Sequence, residues 1–235
     1  MSCTFEVDRN NLQSCFRSVV CDAAHVSTPV DKAAIDALSS GLPNEKGKGL
    51  STAHFPLAVS DALSLELKML SEQALCRVTA ELMAEATAAD TPIMSYTQNG
   101  TSVPCMRRLL DMGLWLSNNA VTDPGVVYTL LEQVFEGSTL SECKDVFSWV
   151  EEHTEVLNKE VLMKRGKLIM LRTSNELLRR LSKANDTAFC GRILMMLASF
   201  LPLSERSALN LASKTNTANV TKCEKDYEED EAMEG

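Results

Sequence analysis

Residues 174–210 read SNELLRRLSKANDTAFCGRILMMLASFLPLSERSALN, and this stretch decides the fold. Apolar residues recur in it at steps of three and four positions, the spacing of one face of an α-helix. Pro202 interrupts the pattern, and Ser204 follows at a position where its hydroxyl can cap the next helix. The stretch therefore predicts two apolar-faced helices, a proline break and a new helical start.

The same spacing recurs through most of the chain, whereas the alternation of β-branched residues that indicates strands is almost absent. Glycines and prolines predict linkers near 42–51 and 91–103. The connections after position 104 are short, which favours neighbouring helices packed against each other. We predict an all-α, multi-helical fold of stacked antiparallel helix pairs. The expected helices cover 11–24, 28–41, 56–89, 104–116, 123–135, 139–153, 156–184 and 186–200.

Several of these helices begin at capping residues. A Thr-Leu-Ser-Glu capping box begins at Thr139, whose hydroxyl can accept the amide of Glu142 while the glutamate reaches back. Asp123 is expected to cap the helix that follows it, and Asn185 or Asp186 can cap the last one. These caps place helix starts independently of the apolar pattern.

Charge is distributed unevenly along the chain. The whole sequence carries a formal charge of −9, which argues against a nucleic-acid-binding body. Residues 222–235 hold seven acidic residues and two lysines, whereas residues 156–192 hold nine basic residues and three acidic ones. We predict a helical part at 1–103, a helical core at 104–212 and an acidic disordered tail at 213–235.

The residues offer little for catalysis or metal binding. The eight cysteines are scattered, so we interpret them as reduced thiols of a cytosolic or nuclear protein. Cys21 and His25 lie four positions apart, but no second pair follows at metal-site spacing, so Cys21 is expected to be a core thiol. The glycine-rich stretch 41–49 lacks phosphate-loop spacing. No run reaches the ~18 apolar residues of a membrane span. We expect no cofactor, metal or small-molecule substrate, and we predict that the chain is not an enzyme.

One surface has a functional interpretation. Arg165, Arg172 and Arg179 recur every seven residues, and Lys183 extends the same line; these four residues are called the basic stripe. Two interpretations are open: a solvated helix face partly neutralised by Glu176, or a contact surface for an acidic partner or RNA phosphates. No aromatic residue interleaves with the stripe, so stacking on single-stranded bases is not supported.

The last two long helices are each expected to bury one apolar side. Arg180 and Arg192 are expected to tie helix ends together, with their stems along apolar surface. Gly191 is expected to let a neighbouring backbone come close. The side chains expected inside are Val161, Leu168, Leu171, Leu178 and Leu181 on the first helix, and Phe189, Ile193, Leu194, Leu197 and Phe200 on the second.

The elements NELLRRLS at 175–182, FCGRI at 189–193 and PLSERS at 202–207 resemble the THO complex subunit 1 family in order and spacing. The resemblance extends more weakly over 123–221, with almost none before Val121. It implies a non-enzymatic scaffold in a nuclear complex that couples transcription to mRNA packaging and export. The implied partners are the other THO subunits, especially the largest, and indirectly a DEAD-box RNA helicase and mRNA.

Family members continue into a long helical region, so the resemblance implies that this chain is an N-terminal portion or a truncated product. A different class of function also fits the residues. A generic helical adaptor or regulatory subunit outside RNA biology would show the same helical pattern.

Deleting residues 222–235 is expected to leave the melting temperature nearly unchanged. Seven acidic side chains in this segment repel one another and offer no apolar face for packing. Thermal unfolding followed by circular dichroism measures the effect. A large drop in melting temperature would show that the segment contributes to folding.

Overall fold

The computed structural model describes residues 4–21, 65–98, 103–118, 121–182 and 186–202. Within these ranges the chain forms helices and connecting turns, with no strand. The predicted all-α class is therefore confirmed. The helices are α1 (Thr4–Cys21), α2 (Leu65–Ala88), α3 (Cys105–Asn118), α4 (Val126–Gly137), α5 (Leu140–Glu152), α6 (Thr154–Leu157), α7 (Glu160–Ser182) and α8 (Thr187–Phe200).

Helices α4 and α7 pack side by side and run in the same direction. The Nε of Arg172 donates to Glu132 at 2.7 Å. Further along both helices, Nη1 of Arg180 donates to the carbonyl oxygen of Phe135 at 2.7 Å. The residue numbers of both partners increase from the first contact to the second, so the two helices are parallel.

Helices α5 and α8 repeat this arrangement. Near their starts, Lys144 pairs with Asp186 at 2.5 Å, and nearer their ends Arg192 pairs with Glu151 at 2.6 Å. The residue numbers again increase along both helices from the first contact to the second, so α5 and α8 are parallel. Helix α8 therefore lies on α5 as α7 lies on α4.

Helices α7 and α8 fold back on each other. Asn158, just ahead of α7, donates to the carbonyl oxygen of Ser199 near the end of α8 at 3.3 Å, so the two helices are antiparallel. Hydrogen bonds from α4 and α5 to α7 and α8 join residues 40–45 positions apart, the spacing of a two-helix repeat. The predicted stacking of antiparallel pairs is confirmed.

The apolar core is contiguous and takes members from every described helix. Its largest fully buried side chains include Trp149, Tyr128, Phe147 and Phe189. Phe147 of α5 and Phe189 of α8 meet edge to face, with 5.3 Å between ring centroids. Burying a side chain of this size stabilises the fold by about 1.5–3 kcal/mol, so these rings hold the two helix pairs together.

Two of the predicted caps are present. The Thr139 hydroxyl accepts the amide of Glu142 at 3.4 Å, and the glutamate accepts the Thr139 amide at 2.9 Å, which completes the capping box of α5. The Asp186 carboxylate accepts the amide of Phe189 at 3.1 Å and caps α8. Local sequence alone fixes both helix starts.

Two predicted helix starts are wrong. Helix α1 begins at Thr4 rather than Asn11, because no glycine or proline interrupts the sequence between Thr4 and position 21. The helix expected from Asp123 begins at Val126 without a side-chain cap. The Asp123 carboxylate instead accepts the amide of Gly125 at 2.8 Å, in a turn that precedes the helix.

The single helix expected over 156–184 is two helices in the described residues, α6 and α7. The Tyr128 hydroxyl donates to the carbonyl oxygen of Leu157 at 2.6 Å. This tertiary hydrogen bond is made by the last residue of α6, and a turn at 158–159 precedes α7.

Exposure corrects the predicted apolar faces. Val161 and Leu168 of α7, which were expected inside, are 62% and 60% exposed, and Leu194 of α8 is 55% exposed. Helix α7 carries apolar residues on two sides, and periodicity does not say which side the core takes. The side of α7 that faces the core consists of Leu162, Met163, Gly166, Met170, Leu177 and Leu181. Among the residues predicted to lie inside, Leu181, Phe189, Ile193 and Phe200 are buried, and Leu171, Leu178 and Leu197 are half-buried.

The close approach expected at Gly191 occurs at Gly166 instead. A Cβ at Gly166 would lie 2.0 Å from Cε2 of the Tyr128 ring. A Cβ at Gly191 would meet no atom within 4 Å, so the interpretation of Gly191 as a packing device is wrong. Gly166 is the position where the absence of a side chain lets α7 lie against α4.

Some predictions lie outside the described residues. These are the helix at 28–41, the linker at 42–51, His25, Lys183, the helical start at Ser204 and the tail at 213–235. The division of the chain at position 103 stays a prediction.

Replacing Gly166 by Ala is expected to lower the free energy of unfolding by about 2 kcal/mol, because the added methyl overlaps a buried ring. Gly191→Ala is the matched control. It gains helix propensity without a clash and is expected to raise stability by up to ~1 kcal/mol. Urea unfolding of both variants gives the comparison, and effects of the same sign would contradict it.

Candidate functional site

The structure places the described part of the basic stripe on the solvent side of α7. The side chains of Arg165, Arg172 and Arg179 are 70%, 68% and 78% exposed. Lys183 lies outside the described residues. The seven-residue spacing therefore brings three guanidinium groups to one surface, as predicted.

Each of the three arginines has a carboxylate nearby. Arg165 lies 3.9 Å from Asp123, and Arg179 lies 3.2 Å from Glu176. Glu132 of α4 accepts hydrogen bonds from Nε and Nη2 of Arg172 at 2.7 and 2.6 Å. The pairs of Arg165 and Arg179 are exposed and contribute at most ~1 kcal/mol each, whereas Glu132 is only 17% exposed and holds Arg172 more firmly. A partner that offers carboxylates or phosphates can replace the two exposed pairs at small cost.

Arg180, next to Arg179 in sequence, has a different role. Its Nη1 and Nη2 donate to the carbonyl oxygens of Phe135 and Ser138 at 2.7 and 2.5 Å. These carbonyls lie at the C-terminal end of α4, where no intrahelical donor remains for them. Arg180 therefore ties α7 to the end of α4, as predicted.

Arg192 also ties helices together. Its guanidinium donates to both carboxylate oxygens of Glu151, at 3.0 and 2.6 Å, and to the Ser148 hydroxyl at 3.1 Å. The same group lies 5.4 Å from the ring centroid of Phe147 and 5.6 Å from that of Phe189. Hydrogen bonding to Glu151 raises the pKa of the Arg192 guanidinium. Arg192 therefore fixes α8 on α5. Because Arg180 and Arg192 have structural roles, the exposed arginines of the basic stripe form the candidate contact surface.

Glu142 does more than complete the capping box. Its Oε1 also accepts the amide of Ile93 at 3.1 Å, which ties the segment after α2 to the start of α5. Burial alone would raise the pKa of Glu142, but hydrogen bonds from Thr139 and Ile93 outweigh burial and lower it. A lowered pKa in the folded state means that this contribution to stability is present at neutral pH and is lost as the pH falls below the ordinary carboxyl range. The capping motif indicated Glu142 in the sequence, but nothing local indicated Ile93.

A polar cluster between α3 and α5 was not predicted. The indole Nε1 of Trp149 donates to Asp111 at 2.8 Å, and the His153 ring stacks on the indole with centroids 4.3 Å apart. Burial raises the pKa of Asp111, while the hydrogen bond from Trp149 acts in the opposite direction. Trp149 and His153 are four positions apart, the spacing of one helix turn, but no sequence spacing connects Asp111 to them. The cluster satisfies the polar atom of a buried tryptophan and has a structural role.

A groove of about 440 Å³ lies between α1 and α2. Burial raises the pKa of Cys76, the thiol in this groove, to about 11. The thiol is therefore protonated at neutral pH and is a poor nucleophile. The groove is lined by Arg9, Met69, Glu72, Gln73, Cys76 and Arg77.

Among the described residues, no group of three or more His, Cys, Asp or Glu side chains could hold a metal ion. The helices that the structure describes include none that is long and apolar enough to cross a membrane. The six described cysteines form no disulfide with one another, and Cys21 is buried in the core as predicted.

Comparison with known proteins gives consistent matches. The family model described as THO complex subunit 1 transcription elongation factor matches residues 106–235. THO complex subunit 1 of Arabidopsis thaliana is 43% identical over 204 residues, which cover 81% of this chain and 33% of the Arabidopsis protein. The human protein of the same name is 44% identical over 94 residues, which cover 40% of this chain and 14% of the human protein. No solved structure matches the chain.

These matches also correct the expected extent of the resemblance. Only 115 residues follow position 120, so a match of 204 residues must include much of the sequence before Val121. The expectation of almost no resemblance there is wrong. The chain spans about a third of the Arabidopsis relative's length.

Replacing Arg180 by Met is expected to lower the free energy of unfolding by about 1.5–3 kcal/mol, because two carbonyl groups at the end of α4 lose a charged donor. Arg179→Met is the matched control, since its exposed pair with Glu176 is worth at most ~1 kcal/mol. Chemical denaturation of both variants measures the difference. Equal losses would contradict the separate roles of the two neighbours.

Proposed function

Because this chain belongs to the THO complex subunit 1 family, we propose that it acts as a non-enzymatic scaffold subunit of the THO complex in the nucleus. In this role it binds other THO subunits, especially the largest. Through them it acts with a DEAD-box RNA helicase and mRNA, and it couples transcription to mRNA packaging and export. The observation that carries the proposal is the 43% identity to the Arabidopsis THO complex subunit 1 over 204 residues.

The architecture suits a scaffold. In stacked helix pairs each helix contacts only its neighbours, so every pair leaves a face open to partners. Arg180 and Arg192 fix the α7–α8 pair on the α4–α5 pair through charged hydrogen bonds. A partner on α7 therefore meets a surface whose position is set before binding, which lowers the entropic cost of association.

The basic stripe supplies the proposed contact surface on α7. Its three described arginines are exposed, and they lie in a region of nine basic and three acidic residues within an acidic chain. Such a local excess of positive charge favours acidic protein surfaces or RNA phosphates and accelerates encounter with them. We assign the protein contact to Arg165, Arg172 and Arg179, with Lys183 as the fourth member.

The test is co-purification of an affinity-tagged chain from nuclear extract of Arabidopsis cells. The wild-type chain is expected to bring down the other THO subunits. Replacing Arg165, Arg172 and Arg179 together by Glu is expected to reduce their recovery, or that of bound RNA, by about tenfold or more, because the reversed charges repel an acidic partner. Circular dichroism checks that the variant remains folded.

The matched control replaces the same three arginines by Lys and keeps the charge. It is expected to retain most of the recovered partners, since point charges remain where the guanidinium groups were. Absence of every THO subunit from the wild-type preparation would contradict membership in the complex. Unchanged recovery in the Glu variant would contradict the role of the stripe and leave it a solvated face.

A further inference from the structure

Helix α7 carries exposed apolar residues on a second side, and Leu178 at the edge of that side packs against the core. Val161 and Leu168 lie seven positions apart on it and are 62% and 60% exposed. Leu171 and Leu178, each three positions after a member of the same seven-residue series, are half-buried. In heptad notation, 161, 168 and 175 are the a positions, and 164, 171 and 178 are the d positions; two of the six residues are polar, Lys164 and Asn175. We call these six residues the outer seam.

The arginines of the basic stripe occupy one fixed place beside the outer seam. Arg165, Arg172 and Arg179 each follow an a position by four residues, so all three are at e positions. In a coiled coil the e and g side chains border the a/d seam and pair with charges on the partner helix. Positive charge at three successive e positions therefore fits a helix with negative charge along the facing edge.

We propose that the outer seam of α7 binds one amphipathic helix of a partner protein, packed as in a coiled coil, with acidic residues beside its apolar stripe. The site is the same surface as in the proposed function, and this proposal names the class of partner. Three heptads cover most of the 23 residues of α7, which are about 34 Å long. A partner helix of about three heptads matches that length.

The apolar residues decide between a protein helix and RNA. Val161 and Leu168 stand beside Arg165 and Arg172, and phosphate oxygens against them would find no hydrogen-bond donor. A partner leucine would instead bury them, at about 25 cal/mol per Å² of apolar surface removed from water. The seam holds two polar residues, Lys164 at a d position and Asn175 at an a position, and a polar a position can set the register of a partner helix.

The probe is a fluorescently labelled synthetic peptide of about three heptads with Leu at a and d and Glu at e and g. Its glutamates repel one another and disfavour self-pairing. Anisotropy titration with the full chain is expected to show saturable binding. The double variant Val161→Ser/Leu168→Ser is expected to weaken binding by about tenfold or more, although the fold is retained because both residues are exposed.

The matched control is Leu65→Ser/Met69→Ser, which removes two exposed apolar residues from α2. It is expected to leave peptide binding unchanged. The Arg165→Glu/Arg172→Glu/Arg179→Glu variant is expected to weaken binding about as much as the Ser variant of the seam, and added salt to weaken it further. Circular dichroism confirms that each variant is folded.

Absence of peptide binding, or an equal loss in the α2 control, would overturn the proposal. A single-stranded RNA oligonucleotide is titrated in parallel. One outcome is that RNA binds and the peptide does not, with RNA binding weakened by the Glu substitutions and unchanged by the Ser substitutions. In that case the surface is a phosphate site and the proposal fails. If the peptide binds as expected but no THO subunits are recovered in the co-purification, the outer seam is supported as a helix-binding site and the proposed membership in the THO complex is contradicted.

Discussion

The ring of Tyr128 occupies the space that a side chain at position 166 would take, and its hydroxyl donates to the carbonyl oxygen of Leu157 at 2.6 Å. The ring packs α7 against α4, and the hydroxyl binds the last residue of α6, next to the turn that precedes α7. Burial raises the pKa of Tyr128, so the hydroxyl remains a donor at any physiological pH. Both contacts of this one residue help to place α7 on α4.

Once α7 lies parallel to α4, its arginines fall into two groups. Arg180 reaches the carbonyl groups at the end of α4, and Arg172 meets Glu132 at the rim of the same interface. Arg165 and Arg179 point to solvent, where their pairs are weak. Adjacent residues therefore have different roles. Each residue of a helix is rotated by about 100° from the one before it, so Arg180 lies in the α4–α7 interface and Arg179 lies outside it.

Local signals in the sequence predicted the fold class and two of the caps, because the atoms involved lie within four residues of one another. Thr139 and Asp186 are examples. The break at Leu157 and the contact at Gly166 could not be predicted, since both depend on a tyrosine about 30–40 positions earlier in the chain. At Gly191 a close contact was predicted and none exists. Periodicity does not show whether another helix lies next to a glycine.

The candidate site was predicted in part for the same reason. Seven-residue spacing on a helix places residues on one side, so Arg165, Arg172 and Arg179 were found from the sequence alone. Which apolar side of α7 meets the core depends on where Gly166 lets α4 approach, and that choice leaves Val161 and Leu168 outside. The arginines lie between this exposed apolar side and α4, which Arg172 contacts through Glu132.

The period of the outer surface carries one further argument. Met163, Met170 and Leu177 repeat at seven positions on the core side of α7, and on the outer side Val161 and Leu168 share this spacing with the arginines. A straight α-helix drifts by ~20° per heptad against such a repeat, so a partner keeps contact with it only by winding around α7. Solvent imposes no such period, and the packed helices α4 and α8 contact the other sides. The core side of α7 uses this period to pack against helices, and the same period on the exposed side supports the proposal that another helix binds there.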